Sequence, residues 1–264
     1  MRHTLAGLSI ADTSNPITTY NQLGGSGIVR NKALAIPCHL NGPGATGPWR
    51  SVEFVSIDPG EENAIGEHTQ TTDEIYYILS GHGTLTTDGF PVVVGAGCVV
   101  IAPCGTTHAL RNGATSTPLS LLVVELQAPA SPRQNPAIVR LAGLLHPGNA
   151  FAPVRVRGQI VQPQMATLDL SAFFRGPWGT FSLVDVPPGA RVDAYQEEHR
   201  DQLVLLSGFS SALITPPEPG DEIRVDATGE GFQCLVVPVG VPLRLENRAS
   251  GTYTARILCL TVVR

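Results

Sequence analysis

Three residues on one short stretch have the types and spacing to hold a metal ion. They are His68, Gln70 and Glu74 in GEHTQTTDEIYYILSG, residues 66–81. Even numbers separate them, so on an extended strand their side chains leave the same face. A fourth donor, His108, follows a Pro-Gly turn in GAGCVVIAPCGTTHALRN, residues 95–112. Donors from two strand regions converge only if the sheet closes around them, as in a small barrel whose inward residues alternate with outward ones. Tyr76 and Ile78 continue the inward face. Tyr76 is placed either to hydrogen-bond a substrate or to be an ordinary buried tyrosine with a polar partner. Tyr77 falls on the opposite face, as a packing residue.

The elements that must position these donors are legible as strands. Gly 28 and Pro 22 are high counts for the chain, and they punctuate short β-branched runs: SVEFVSI, EIYYILS, GTLTTDG, PVVVGAGCVVIAP, LSLLVVEL. Short strands with Gly/Pro turns at this spacing predict an all-β barrel or sandwich. One helix is expected, PAIVRLAGLL at 136–145, within a Pro/Ala/Ser-rich segment that reads as a linker. The pattern then repeats. GPWRSVEFVSIDPG at 47–60 is echoed by GPWGTFSLVDVPPG at 176–189, and these hold both tryptophans. EIYYILSG is echoed by DQLVLLSG, and VVIAPCGTTHALRN by LVVPVGVPLRLEN. A repeat of this length implies two tandem copies of one domain. The expected division is 1–130, a linker at 131–153 with the short helix, and 154–264.

Global properties narrow the function classes. The chain has 264 residues, 27.8 kDa, a net charge of -5 and a pI near 5.8. No basic run marks a nucleic-acid or membrane footprint. The N-terminus is too weakly apolar for a signal peptide, and no stretch is long enough to span a membrane. Five cysteines without Cys-x-x-Cys spacing argue against a disulfide framework or a cysteine zinc site. A cytoplasmic location is expected. Lys32 is the sole lysine, so lysine-base chemistry has one candidate.

The motifs resemble those of the cupins. The first cupin motif, G-x5-H-x-H-x3,4-E-x6-G, matches through His68, Glu74 and Gly81. Gln70 replaces the usual second His, and Gly66 or Gly60 is the nearest substitute for the opening Gly. The second, G-x5-P-x-G-x2-H-x3-N, matches in full at Gly97, Pro103, Gly105, His108 and Asn112. With the degenerate repeat, the resemblance implies an all-β chain of two tandem jelly-roll-like cupin barrels. It implies a metal held by His68, Gln70, Glu74 and His108; Glu74, and Tyr76 by its inward position on the strand, are the candidate catalytic groups. In the second copy the ligand positions read Tyr195, Glu197 and Asp201, and Leu243 stands for the His. Even with His199 on the same face, that barrel reads as structural.

One divalent ion per chain is therefore expected. A hard N/O donor set suits Fe(II), Mn(II), Ni(II) or Zn(II), with Fe(II) the leading choice. The set also resembles that of phosphomannose-type zinc isomerases. The first functional reading is Fe(II)-type dioxygenase chemistry on a small organic molecule, compatible with bacterial secondary metabolism. The second is a non-redox isomerase, cyclase or lyase using Zn, Mn or Ni. The third is a small-molecule-binding cupin without turnover. Storage-type cupins of this architecture tend to lose ligands in both halves, which argues for an enzyme. A monomer or homodimer is expected. His82 reads as exposed and Cys104 as a small turn residue. Arg30, Lys32, His39 and Arg50 are candidates to meet a substrate anion, and the sequence does not orient them.

Overall fold

A computed structural model describes residues 8–35, 48–127, 134–147, 154–156, 159–195, 199–215, 222–228, 231–249 and 253–263. His39 and Glu197 lie outside the described residues. Among the described residues there are strands and short 3-10 turns, with no α-helix. One seven-stranded sheet runs Ala137–Arg140, Cys98–Ala102, Asp73–Ser80, Leu119–Leu126, Trp49–Ile57, Ile28–Ala35, Ile17–Tyr20. Opposite it lies a four-stranded sheet of Ala64–Thr69, Thr107–Asn112, His82–Thr87 and Phe90–Gly95. The second half repeats the arrangement. Its seven-stranded sheet centres on Arg200–Ser207, Ala255–Val263 and Trp178–Val186, and its four-stranded sheet on Leu243–Asn247. Strand pairing is antiparallel throughout.

Period-2 alternation gives the first large sheet two buried faces. Val55, Ile57, Tyr76, Ile78, Leu121 and Val123 point into its own sandwich. Their neighbours Val52, Ile75, Tyr77, Leu122 and Val124 point the other way and join a core shared with Trp178, Phe181, Leu183, Leu203 and Leu258. The two seven-stranded sheets thus pack face to face. Tyr77 meets Phe181 there, with ring centroids 5.6 Å apart.

Two hydrogen bonds of the same kind cross this seam. The Trp49 Nε1–H donates to Asp201 Oδ2 at 2.8 Å, and the Trp178 Nε1–H donates to Asp73 Oδ2 at 3.3 Å. Each repeat therefore sends its tryptophan to the other repeat's aspartate.

Two expectations are corrected. The segment 136–145 is not a helix: Ala137–Arg140 is an edge strand on Cys98–Ala102, and Leu141–Leu144 is a 3-10 turn. Ile138 and Val139 pack on the cores of that sheet's two faces, so pairing to an open edge overrides the short helical pattern. The strand Ser9–Asp12, assigned by sequence order to the first repeat, pairs with Phe232–Val237 in the second repeat's sheet. Lys32 Nζ joins Asp12 Oδ1 at 2.7 Å, tying this strand back to the first sheet.

The turn after the Glu74 strand depends on Gly81, whose φ is +80°. A Cβ there would stand 2.5 Å from the Pro118 carbonyl oxygen. Gly81→Ala is expected to cost about 1–2 kcal/mol from the left-handed conformation alone, with more from that contact. Urea unfolding should show a lower midpoint at unchanged slope; an unchanged midpoint would refute this account.

Candidate metal centre

The second motif places its histidine by backbone pairing. His108 lies directly across from His68 on adjacent antiparallel strands. Two further bonds lock the turns together: Gln70 N–H donates to the Thr106 carbonyl at 2.9 Å, and Gly105 N–H donates to the Gln70 carbonyl at 2.8 Å. Asn112 is fully buried; its Nδ2 donates to the carbonyls of Ile57, Asp58 and Thr117 at 2.9–3.0 Å. Asn247 does the same for Val186 and Tyr253. The motif asparagine is a turn staple, which explains its retention in the repeat where Leu243 stands for the motif histidine.

His68, Gln70, Glu74 and Tyr76 line one cavity of about 320 Å³. The buried His108 stands against them. Its ring meets His68 edge-on with centroids 4.4 Å apart, and its Nε2 lies 2.6 Å from the Tyr76 hydroxyl and 3.2 Å from Glu74 Oε2. Glu74 Oε2 and His108 Nδ1 are buried without a hydrogen-bond partner. If Tyr76 donates to Nε2, Glu74 Oε2 faces a lone pair. If Nε2–H is the donor, the Nδ1 lone pair goes unused in a neutral ring. Neither tautomer satisfies all three groups; a cation or an extra proton does. Burial, then the Glu74 charge, hold the Tyr76 phenol well above its ordinary pKa, so it stays a neutral hydroxyl at physiological pH.

His68 Nδ1 lies 2.9 Å from the Gly66 carbonyl, which selects the tautomer whose Nε2 carries a free lone pair. The donor chemistry of His68, Glu74 and His108 thus fits a divalent ion. Gln70 differs from the expectation in its aim: Oε1 accepts the Thr71 N–H at 3.0 Å, leaving one lone pair of the amide oxygen. Among the described residues, no three His, Cys, Asp or Glu side chains stand close enough together to hold a metal ion as they are arranged.

Two carboxylates in the cavity were missed from the sequence. Glu53 and Glu125 line it beside Glu74, and Glu125 is the direct cross-strand neighbour of Glu74. Burial first, and then the Glu74 charge, raise both carboxyl groups above the usual range. The signal was present. Glu53 shares parity with Val55 and Ile57, and Glu125 with Leu121 and Val123, all inward residues. Gln22 and Leu23 cover the mouth. They ride on a turn that lies against Gly66, where a Cβ would stand 2.2 Å from the Leu23 carbonyl oxygen. That contact accounts for glycine at 66.

Other candidates lie elsewhere. Arg30 forms a two-pronged pair with Asp58 at 2.8 Å, and Lys32 is committed to Asp12. Arg50 and His82 are exposed. The Cys104 N–H donates to Asp73, and Cys104 is not among the cavity-lining residues.

In the second repeat the sequence register is off by one. Asp201, aligned with Glu74 by sequence, instead accepts the Val239 N–H at 3.2 Å and the Trp49 indole. It therefore matches Asp73, which accepts the Cys104 N–H at 3.0 Å and the Trp178 indole. The counterpart of Glu74 is Gln202, buried with neither amide atom partnered. Leu243 is fully buried apolar core, and His199 is exposed.

Comparison with known proteins agrees with this architecture. Residues 53–125 match the family described as Cupin domain. No curated protein matches the sequence. Oxalate decarboxylase from Bacillus subtilis is similar in structure, with a TM-score of 0.66 at 14% identity over 98% of this chain and 77% of that one. Another structure of that enzyme, concerned with its Mn(II) centres, gives 0.64 at 14% over 99% and 79%. Vicilin from hazelnut, Corylus avellana, gives 0.66 at 11% over 96% and 86%. At these identities the likeness concerns the fold. No described helix is long and apolar enough to cross a membrane. Residues 53–125 are a cupin domain, and the chain has the all-β cupin jelly-roll fold.

Proposed function

We propose that the protein is a metal-dependent cupin enzyme acting on a small organic molecule in the first sandwich, with dioxygen as co-substrate. The observation that carries the reading is the buried, unpartnered Glu74 Oε2, 3.2 Å from His108 Nε2 and in the same cavity as His68 and Gln70. His68, Glu74 and His108 would hold the ion, with Gln70 beside them. A divalent metal there would supply Lewis-acid polarisation and, for Fe(II), one-electron chemistry with oxygen. The residues do the remaining work. Val55, Ile65 and Val123 give the cavity its apolar lining, and Tyr76 presents a neutral hydroxyl that donates a hydrogen bond at the reacting face. The second sandwich, with no imidazole on the inner face among the described residues, serves as scaffold.

A second reading is favoured by Tyr76, Glu53 and Glu125, three proton-exchanging groups in one small cavity. They suit non-redox isomerase, cyclase or lyase chemistry, in which a carboxylate moves a proton at a carbon beside a polarised carbonyl. The Mn(II) centres of the similar decarboxylase support a hard divalent ion for either reading.

Purified protein should retain one metal ion per chain after dialysis, and Gln70→Ala should weaken retention by about 10- to 100-fold. A content of two ions that survives His68→Ala would refute the scaffold role of the second sandwich. Reconstitution with Fe(II), Mn(II), Ni(II) or Zn(II), with and without oxygen, separates the chemistries. Oxygen uptake confined to redox metals supports the first reading. Anaerobic turnover with Zn(II) supports the second. Tight binding without conversion under every condition leaves a binding protein.

A further inference from the structure

The cavity is unusual in its charge. Three carboxylates, those of Glu53, Glu74 and Glu125, line it, with no lysine or arginine among the described lining residues. The exposed Arg50 acts on Glu125 only from outside the cavity. Thr72 Oγ1 donates to Glu125 at 3.1 Å, and the hydroxyl of Tyr76 is engaged with His108. A carboxylate removed from water needs a positive partner or a proton. A divalent ion at Glu74 and the histidines balances two of the three negative charges and leaves one. Val55, Ile65 and Val123 add an apolar part to the lining. At about 320 Å³ the space admits a molecule of on the order of ten non-hydrogen atoms.

We infer that the cavity recognises a small molecule with one ammonium group, held by Glu53 and Glu125, with its carbon skeleton against Val55, Ile65 and Val123. This rests on the reading of the cavity as the working site. With the metal in place, the negative charge left over is that of Glu53 and Glu125, so this part of the cavity favours a cationic group over an anionic one.

The test uses three probes with one skeleton: benzylamine, benzyl alcohol and benzoate. Each is titrated calorimetrically into the full-length protein, and the metal content of every sample is measured separately. Benzylamine should bind about 10- to 100-fold more tightly than benzyl alcohol, the scale of one charge-assisted hydrogen bond. Benzoate should show no saturable heat. Glu53→Gln and Glu125→Gln should each lower benzylamine affinity by about tenfold while leaving benzyl alcohol unmoved. Each variant should also melt at or above the wild-type temperature, because it removes a buried like charge. The proposal is overturned if benzoate binds as well as benzylamine, if benzylamine gives no saturable binding, or if both variants bind it as the wild type does. Loss of metal from the wild type would instead refute the metal-centre reading, with amine recognition still measurable in the same samples.

Discussion

His108→Ala is expected to abolish the divalent-metal binding proposed for the first sandwich. The imidazole is buried, and its Nε2 stands 2.6 Å from the Tyr76 hydroxyl and 3.2 Å from Glu74 Oε2. Loss of even an outer partner of a ligand costs about 10- to 100-fold in affinity. Removal of a ligand is expected to exceed 100-fold by this scale, leaving well under about a tenth of the wild-type metal after dialysis. Glu74→Ala should match it, because it removes the charged donor. Tyr76→Phe separates the roles. It frees Nε2 of the hydroxyl and should keep the metal or bind it more tightly, while turnover falls by about 10²-fold or more, the scale of a positioned proton-exchanging group. Elemental analysis and unfolding curves on the same samples check these outcomes. Wild-type metal content in folded His108→Ala would exclude His108 as a ligand.

Trp49→Ala and Trp178→Ala are expected to be the most destabilising single substitutions. Each ring is about 2% exposed, and truncating a buried aromatic costs about 3–5 kcal/mol. Each also leaves a buried acceptor of the opposite repeat, Asp201 or Asp73, without its indole partner, at about 1–3 kcal/mol. The phenylalanine variants keep part of the buried aromatic surface but lose the N–H and the volume of the fused ring, so they should fall between wild type and the alanine variants. Because the rings belong to one core common to both large sheets, wild type and variants should unfold in a single transition that moves as a whole. Two separated transitions, with only one displaced by Trp49→Ala, would show that the repeats melt independently and would overturn the shared-core account.

The sequence alone determined the β architecture, because turn-forming Gly and Pro recur between short β-branched runs and alternate residues of a strand take opposite faces. That alternation put Glu74, Tyr76 and Ile78 on one side and Tyr77 on the other, which is their placement in the fold, but the single strand expected to carry His68, Gln70 and Glu74 is two strands of different sheets, Ala64–Thr69 and Asp73–Ser80, with Gln70 between them. The same rule reached Glu53 and Glu125, whose parity was readable, but a lone carboxylate in an apolar strand has no spacing signature of its own. Only the tertiary structure decided that both join Glu74, because Glu53 lies 21 positions before it and Glu125 51 after it, and strand pairing across the sheet brings them together. It likewise decided the one-residue register that turns Asp201 to the seam and Gln202 inward. A shift of one reverses a strand's faces, and the bond from Trp49 that fixes it comes from 152 residues away. The edge strand at 137–140 has the same origin: an open sheet edge offers hydrogen bonds that a ten-residue helix in water does not match, and that edge exists only once the chain has folded.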